Sequence, residues 1–312
     1  MPLITVCLPC YNQPAYLKIC LDSILRQTFQ DFEIQIWDDA SETDYAPVLA
    51  QFAEARIRYR RNPRNVGALP NMFQALRGEY DSRYVIAFHE DDVMHPRLLE
   101  LEIAQLEQSA RLVFAASEML TFQTPPVPAP PPVSAENYTR CEDVSDLVRL
   151  FLRGIPINFG SVLYRRAALA QHEPDRQRFA ALCDRPFLCE IAKAGSAAIL
   201  HAPLVLYRSH AGADFRAPNL SEDHLIALYV YYRSCLPKNW RNSDRALFYR
   251  NATNQLLDSY PRLSAAHKSN LRAFVAKCLR RGVFSPWHIN RLGLRGIATA
   301  LATPSPARGQ VR

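Results

Sequence analysis

Short apolar runs alternate with segments whose apolar residues recur at helical spacing. Leu3 to Leu8 is a β-branched run and predicts a buried strand. Past Pro14, Leu17, Leu21, Ile24 and Leu25 share one helical face, until Gln27-Thr28-Phe29-Gln30 breaks it. Phe32 to Trp37 predicts a second strand, and the polar loop Asp38 to Asp44 leads into a helix capped by Ser41 or Thr43. Ile57 to Tyr59 is a third strand. Asn65-Val66-Gly67 turns into a helix over Ala68 to Leu76. Tyr84 to Phe88, a helix from Pro96 to Gln108, and Leu112 to Ala116 complete the alternation. This order predicts an α/β fold: a doubly wound, mostly parallel sheet with helices on both faces.

Ligands of such sheets bind beyond the carboxyl ends of the strands. Three polar clusters follow strands here, Pro9 to Asn12, Asp38 to Asp44 and Glu90 to Asp92, so they converge on one crevice. The last carries the strongest chemistry. Three adjacent carboxylates repel one another unless a cation sits among them, and a divalent ion holding a phosphorylated ligand meets that need. A solvated acidic turn is the alternative.

The proline-rich stretch from Gln123 to Val133 predicts a polyproline-like surface excursion. Beyond it come a helix over Val144 to Leu152, a strand over Ser161 to Tyr164, a helical Leu188 to Ala192, and short strands at Ala197–Leu200 and Leu204–Tyr207. From Ser221 the pattern is helical, over Leu225 to Leu236, Ala246 to Leu257 and Ala265 to Leu279.

Charge refines this division. The net charge of +7 splits into −6 over residues 1–118, +2 over 119–221 and +11 over 222–312. Phe284, Trp287, Ile289, Leu292, Leu294 and Ile297 interleave with Arg280, Arg281, Arg291 and Arg295. That mixture suits an anionic membrane surface, or else a helical cap with its basic residues outward. No nucleic-acid motif accompanies the charge, so no nucleic acid is expected. No apolar run approaches the roughly 20 residues of a membrane span, and the N-terminus lacks a basic start. The reading is cytoplasmic, with peripheral attachment to the inner face of the membrane as an extension. Cys7 and Cys10 have redox-motif spacing but lie along a strand end with no helix at the second cysteine, which argues against redox or zinc chemistry.

Several motifs, in order, resemble the inverting family 2 glycosyltransferases of bacterial polysaccharide and lipopolysaccharide synthesis, with the GT-A fold. These are Val6-Cys7-Leu8-Pro9-Cys10-Tyr11-Asn12, Leu21 to Thr28, Asp31-Phe32-Glu33-Ile34 and Trp37-Asp38-Asp39-Ala40-Ser41. Asn65-Val66-Gly67, His89-Glu90-Asp91-Asp92, Cys183-Asp184-Arg185 and Tyr207-Arg208-Ser209-His210 follow. The match spans residues 3 to about 215. It departs from the family at His89, in place of the first aspartate of the metal motif, and at Cys183, in place of a glutamate.

The resemblance implies a metal-dependent transfer of sugar from a nucleoside diphosphate sugar to a hydroxyl of a glycan or lipid-linked glycan. It implies Mn²⁺ or Mg²⁺ on Asp91, with Asp92 and His210 as further ligands. Pro9, Tyr11, Asp39, Asn65, Glu90 and Arg208 would bind the nucleotide sugar, and Asp184 would be the general base. Tyr11 would stack on the base, Asp39 would accept its hydrogen bond, and Pro9 would set the turn out of the first strand. Asp92 and Glu90 each have three readings: binding the ribose, ordering the loop, or no chemical part. Asp184 also sits where a helix N-cap is found. On this reading residues 1–118 form the donor half, 119–220 the acceptor and catalytic-base half, and 221–312 a basic helical extension. A non-catalytic nucleotide- or glycan-binding module of the same fold is the competing function. A nucleotidyltransferase or hydride-transfer enzyme is disfavoured, because Pro9 to Gln13 has no glycine to bring backbone against phosphate.

Overall fold

The computed structural model describes residues 1–123, 126–134, 137–169, 172–210, 220–263 and 271–285. They divide into two units that interleave along the chain. The first comprises 1–143, 156–172 and 190–213, and the second 144–155, 173–189 and 214–312.

The first unit is built on a nine-stranded sheet. Its strands are β1 (Ile4–Cys10), β2 (Phe32–Asp38), β3 (Ile57–Arg61), β4 (Tyr84–Ala87), β5 (Val93–Met94), β6 (Leu112–Gln123), β7 (Tyr138–Cys141), β8 (Val162–Arg165) and β9 (Ser196–Ser209). The order is β3-β2-β1-β4-β8-β6-β9-β5, with β7 also paired to β9. Strands β3, β2, β1 and β4 are mutually parallel, as are β6 and β9, whereas β8, β5 and β7 run antiparallel to their neighbours. β1 and β4 are buried along most of their length because helices cover the sheet, whereas the edge strand β3 is largely exposed. The helices are α1 (Pro14–Leu25), the short α2 (Ala46–Leu49), α3 (Ala68–Leu76) and α4 (Leu98–Leu106). One apolar cluster joins Ile4, Val6 and Leu8 of β1 to Leu17, Leu21 and Ile24 of α1 and to Leu98, Leu101 and Ile103 of α4.

Several expectations change. Pro9 lies inside β1, opposite Trp37, rather than in the turn. Phe88 N–H donates to the Cys7 carbonyl at 2.8 Å, and β4 pairs with β1 only as far as Cys7. Pro9 therefore falls where no ladder donor is needed. The turn belongs to Asn12, at φ 58°. Neither Ser41 nor Thr43 caps α2: Asp44 accepts from Ala46 N–H at 2.9 Å, and Ser41 Oγ instead accepts from Asn12 N–H at 2.9 Å. The two expected strands after Ala197 are one strand, β9, irregular where Ser117 and Glu118 pass Leu200 and Pro203. Thr139 Oγ1 and Glu118 Oε1 flank the two ring nitrogens of His201 at 2.7 and 2.9 Å. They tie the unforeseen edge strand β7 to this irregularity.

Glu102 of α4 is fully buried against the sheet. Burial raises its carboxyl well above the ordinary range, against the Ser117 hydroxyl and the Leu163 backbone facing it. Its proton is therefore held more tightly folded than unfolded, so stability falls as pH rises above the unfolded value near 4.3. Glu102→Gln should abolish that slope. Its stability advantage, measured by denaturant titration, should grow from pH 5 to 7 by up to about 1.4 kcal/mol per pH unit.

The second unit is helical. It holds α5 (Val144–Leu152), α7 (Arg176–Phe179), the start of α8 (Asp184–Ala192), α9 (Glu222–Cys235), α10 (Asn242–Leu263) and α11 (Leu271–Arg280); α6 (Arg166–Leu169) belongs to the first unit. Phe151 stacks on Tyr232, and Tyr229 packs edge-on against Phe248. Arg149 bridges Asp146 and Asp244 at 2.8 and 3.1 Å. Among the described residues no helix is long and apolar enough to cross a membrane. The basic-aromatic stretch from Trp287 to Ile297 lies outside the described residues.

Candidate active site

The polar clusters gather at the carboxyl ends of β1, β2 and β4, and the end of β9 joins them. Asp38 is buried at the end of β2. Burial disfavours its charge, yet donors from Ser41 and Tyr59 and the Arg61 guanidinium hold its carboxyl below the usual range. Asp39 is also buried. Its Oδ1 accepts from Asn62 Nδ2 and Val66 N–H, both at 2.9 Å, and its Oδ2 from Gly67 N–H at 2.8 Å. Asn62 also donates to Asn71, which donates to the Trp37 carbonyl. Asp39 thus holds the segment entering α3, and Asn65 stands exposed on that segment. Asn62 was not singled out in the sequence; only its contact across to Asp39 reveals it. An Asp39→Asn substitution would turn an NH₂ toward an N–H donor and should cost about 1.5–3 kcal/mol in a denaturation experiment.

Glu90 is buried below the first loop. Its carboxylate accepts from Tyr11 N–H and, at 2.7 Å, from Tyr45 hydroxyl. Both oxygens are engaged in ordering the loop between β1 and α1. Burial pushes its carboxyl up to about 7, against these donors. The Tyr11 side chain is 44% exposed above this loop. Cys7 and Cys10 are both buried. Burial pushes the Cys7 thiol up to about 12 and that of Cys10 well up, so neither supplies a thiolate.

The carboxylates past β4 meet the end of β9. His89, Asp91 and Asp92 place one ligand atom each within 4.8 Å of one another. His89 Nδ1 lies 3.2 Å from Asp92 Oδ2, and Asp92 Oδ1 accepts from Arg208 N–H at 2.8 Å. Burial raises the Asp92 carboxyl, and the His89 ring opposes that shift. His210 Nε2 lies 2.8 Å from Asp91 Oδ2, and the two side chains are 12% and 22% exposed. Arg208 is 2% exposed. Its Nε donates to the Asp91 carbonyl at 2.7 Å, and its guanidinium lies 4.6 Å from the ring centres of both Tyr16 and Phe122. Among the described residues its buried Nη2 has no hydrogen-bond partner. The structure thus brings Asp91, Asp92, Arg208 and His210 near one another, with His89 beside the carboxylates.

Asp184 lies in the second unit and opens α8. Its Oδ1 accepts from Arg185 N–H at 2.8 Å, so the carboxylate serves the first turn without standing outside the helix. Burial raises its carboxyl above the ordinary range, against the Arg185 charge.

A mixed sheet that is parallel through β1, β2 and β4, with carboxylates past β4 and imidazole and guanidinium past β9, defines a GT-A type transferase fold. Residues 5–130 match the family model described as Glycosyl transferase family 2. Among curated relatives, the Escherichia coli UDP-Glc:alpha-D-GlcNAc-diphosphoundecaprenol beta-1,3-glucosyltransferase WfgD is 29% identical over 105 residues, covering 33% of this chain and 41% of its own. Other curated relatives are likewise matched over only part of their length, 36% for glycosyltransferase GlyG of Streptococcus pneumoniae. The structure of S. aureus TarS 1-349 with UDP superposes with a TM-score of 0.57 at 15% identity, over 87% of this chain and 75% of that one. The Pyrobaculum calidifontis mannosyltransferase PcManGT, in complex with GDP-Man and Mn²⁺, gives 0.51 at 14% identity, over 96% and 86%. These two likenesses concern the fold.

Proposed function

We propose that this chain transfers a sugar from a nucleoside diphosphate sugar to a hydroxyl of a glycan or lipid-linked glycan, with inversion at the anomeric carbon. The observation that carries this reading is Arg208. A buried guanidinium with an idle Nη2 is costly unless an anion completes it, and a diphosphate oxygen would do so. The named ligands of the structural relatives, UDP and GDP-Man, are of that class. The name of WfgD supports a lipid-linked acceptor.

The residues present fit a divalent cation: Asp91 first, with His89 and Asp92 close by, and His210 against the Asp91 carboxylate. Such an ion would supply Lewis-acid stabilisation of the departing diphosphate. Arg208 would pair with a phosphate oxygen, held in place by the Asp91 carbonyl and its two flanking rings. Tyr11, exposed beside the β1 end, offers a face for the base. Glu90 would keep that loop in place. In the displacement, the acceptor oxygen bonds to the anomeric carbon as the bond to the diphosphate oxygen breaks. The acceptor's proton would pass to a carboxylate, the role the motif resemblance gives to Asp184. Its raised affinity for protons suits that role.

The test is nucleoside diphosphate release from a panel of nucleotide sugars, with glycan and lipid-linked acceptors, with Mn²⁺ or with chelator. Acceptor-dependent release is expected. Nucleotide binding without turnover on any pair would favour the non-catalytic module. Arg208→Gln should weaken nucleoside diphosphate binding by about 1.5–3 kcal/mol, the worth of a charge-assisted hydrogen bond, as read by calorimetry. Membrane attachment through the C-terminal third predicts co-sedimentation with anionic vesicles at low salt; none would leave the extension as a helical cap.

A further inference from the structure

We infer that Tyr16 and Phe122 are positioning residues for diphosphate binding: their rings clamp the Arg208 guanidinium so that its idle Nη2 is held ready for a phosphate oxygen. This deepens the function proposed above and rests on its reading of Arg208. Neither ring takes part in the chemistry; each acts through the arginine.

The geometry of the arginine carries the inference. An arginine stem is rich in rotamers, and ordering it at the moment of binding opposes affinity. Here the ordering is done in advance. Arg208 Cζ lies over both rings, 4.6 Å from each centroid, the separation of a cation on an aromatic face. Its Nε is spent on the Asp91 carbonyl at 2.7 Å. With that edge spent and two rings against it, the side chain keeps Nη2 buried, and among the described residues that nitrogen has no hydrogen-bond partner. The Tyr16 ring also lies 5.4 Å from the His210 ring, tilted at 51°. One aromatic side chain thus touches two of the groups gathered at the end of β9.

Each ring is itself fixed from elsewhere in the fold. Tyr16 stands in the first turn of α1, and its N–H donates to the Gln13 carbonyl at 3.1 Å. Gln13 N–H donates to the Tyr45 hydroxyl at 3.0 Å, and that hydroxyl donates to Glu90 at 2.7 Å. The buried carboxylate that orders the first loop therefore also sets Tyr16. Phe122, near the end of β6, is buried with Val93 and Leu206, and Ile19 of α1 and Val127 of the proline-rich excursion pack against them. His95 Nε2, 3.0 Å from the Pro131 carbonyl, ties that excursion down. The competing explanation is that the two rings only fill space at the end of the sheet, and that Arg208 would point the same way without them.

The experiment is calorimetry on the full chain in chelator, with UDP, GDP and inorganic pyrophosphate as probes. Leucine keeps apolar bulk and removes the aromatic face. Tyr16→Leu and Phe122→Leu should each weaken binding roughly 5–30-fold, the worth of a desolvated cation–π contact. Tyr16→Phe keeps the face and should bind within about twofold of the wild type. The decisive comparison adds each leucine to Arg208→Gln. There it should cost less than about twofold more, because residues that act through one group do not add. Melting curves verify the folds, and should one leucine variant fail to fold, the other ring carries the test. Wild-type affinity in both leucine variants, losses that add to that of Arg208→Gln, or a Tyr16→Phe as weak as Tyr16→Leu would each overturn the inference. The two proposals fail separately. Sugar transfer with undiminished diphosphate affinity in the leucine variants sinks only the clamp. Non-additive binding losses without turnover on any donor and acceptor pair sink only the transferase. A wild-type chain that takes none of the three probes overturns both.

Discussion

Asp91→Ala is expected to lower kcat by on the order of 10²–10³, the scale of losing one preorganised contribution to leaving-group stabilisation. The substitution is clean because it separates two roles of one residue. The carboxylate faces His210 at 2.8 Å, while the backbone carbonyl orients Arg208 at 2.7 Å. Alanine removes the first and keeps the second. Nucleoside diphosphate affinity should therefore drop when Mn²⁺ is present and stay unchanged in chelator. Steady-state diphosphate release and calorimetry under both conditions measure the two effects. Full turnover in the variant would remove the ion from the proposed reaction and leave Arg208 as the only support for diphosphate binding.

Asp184→Asn should cost roughly 10²–10⁴ in kcat, the usual worth of a positioned general base, while donor affinity holds. Asparagine keeps an acceptor for Arg185 N–H, so α8 keeps its first-turn hydrogen bond. A purely structural role would thus leave kcat intact. The pH dependence adds an independent check. Burial raises the Asp184 carboxyl above the ordinary aspartate value near 3.9. A base must be ionised, so wild-type kcat should climb with pH through that raised value. The residual rate of the variant should lack this limb. A variant with wild-type kcat and an unchanged acid limb would exclude Asp184 as base.

Sequence pattern alone located most elements of the sheet. The helix Ala68–Leu76 and the helix Val144–Leu152 match their expected bounds, because an amphipathic stripe flanked by turn residues leaves little choice of register. Strands β5 and β7 escaped notice. Val93–Met94 is too short to show a period, and Tyr138–Cys141 is polar and partly exposed. Both exist because β9 is long enough to pair with each along different parts of its length. The break expected near Ala202 is instead an irregularity within one strand, which no local preference signals.

For the site, residue identities were legible and partnerships were not. Asp38 and Asp39 are neighbours in a polar loop, yet one meets Tyr59 and Arg61 while the other holds the amides of Val66 and Gly67. Glu90, Asp91 and Asp92 form a run of like charge, but the turn between β4 and β5 sends each to different partners: Tyr45, His210 and the backbone of Arg208. By itself the chain determined which segments are strands and helices and which loops carry charge, because periodicity and turn chemistry act over a few residues. Tertiary structure alone decided that His89 joins the carboxylates and that Arg208 is buried between two rings with a nitrogen to spare. Those facts depend on β9 returning beside β6 and antiparallel to β5, a pairing between segments about a hundred residues apart whose geometry no local pattern encodes.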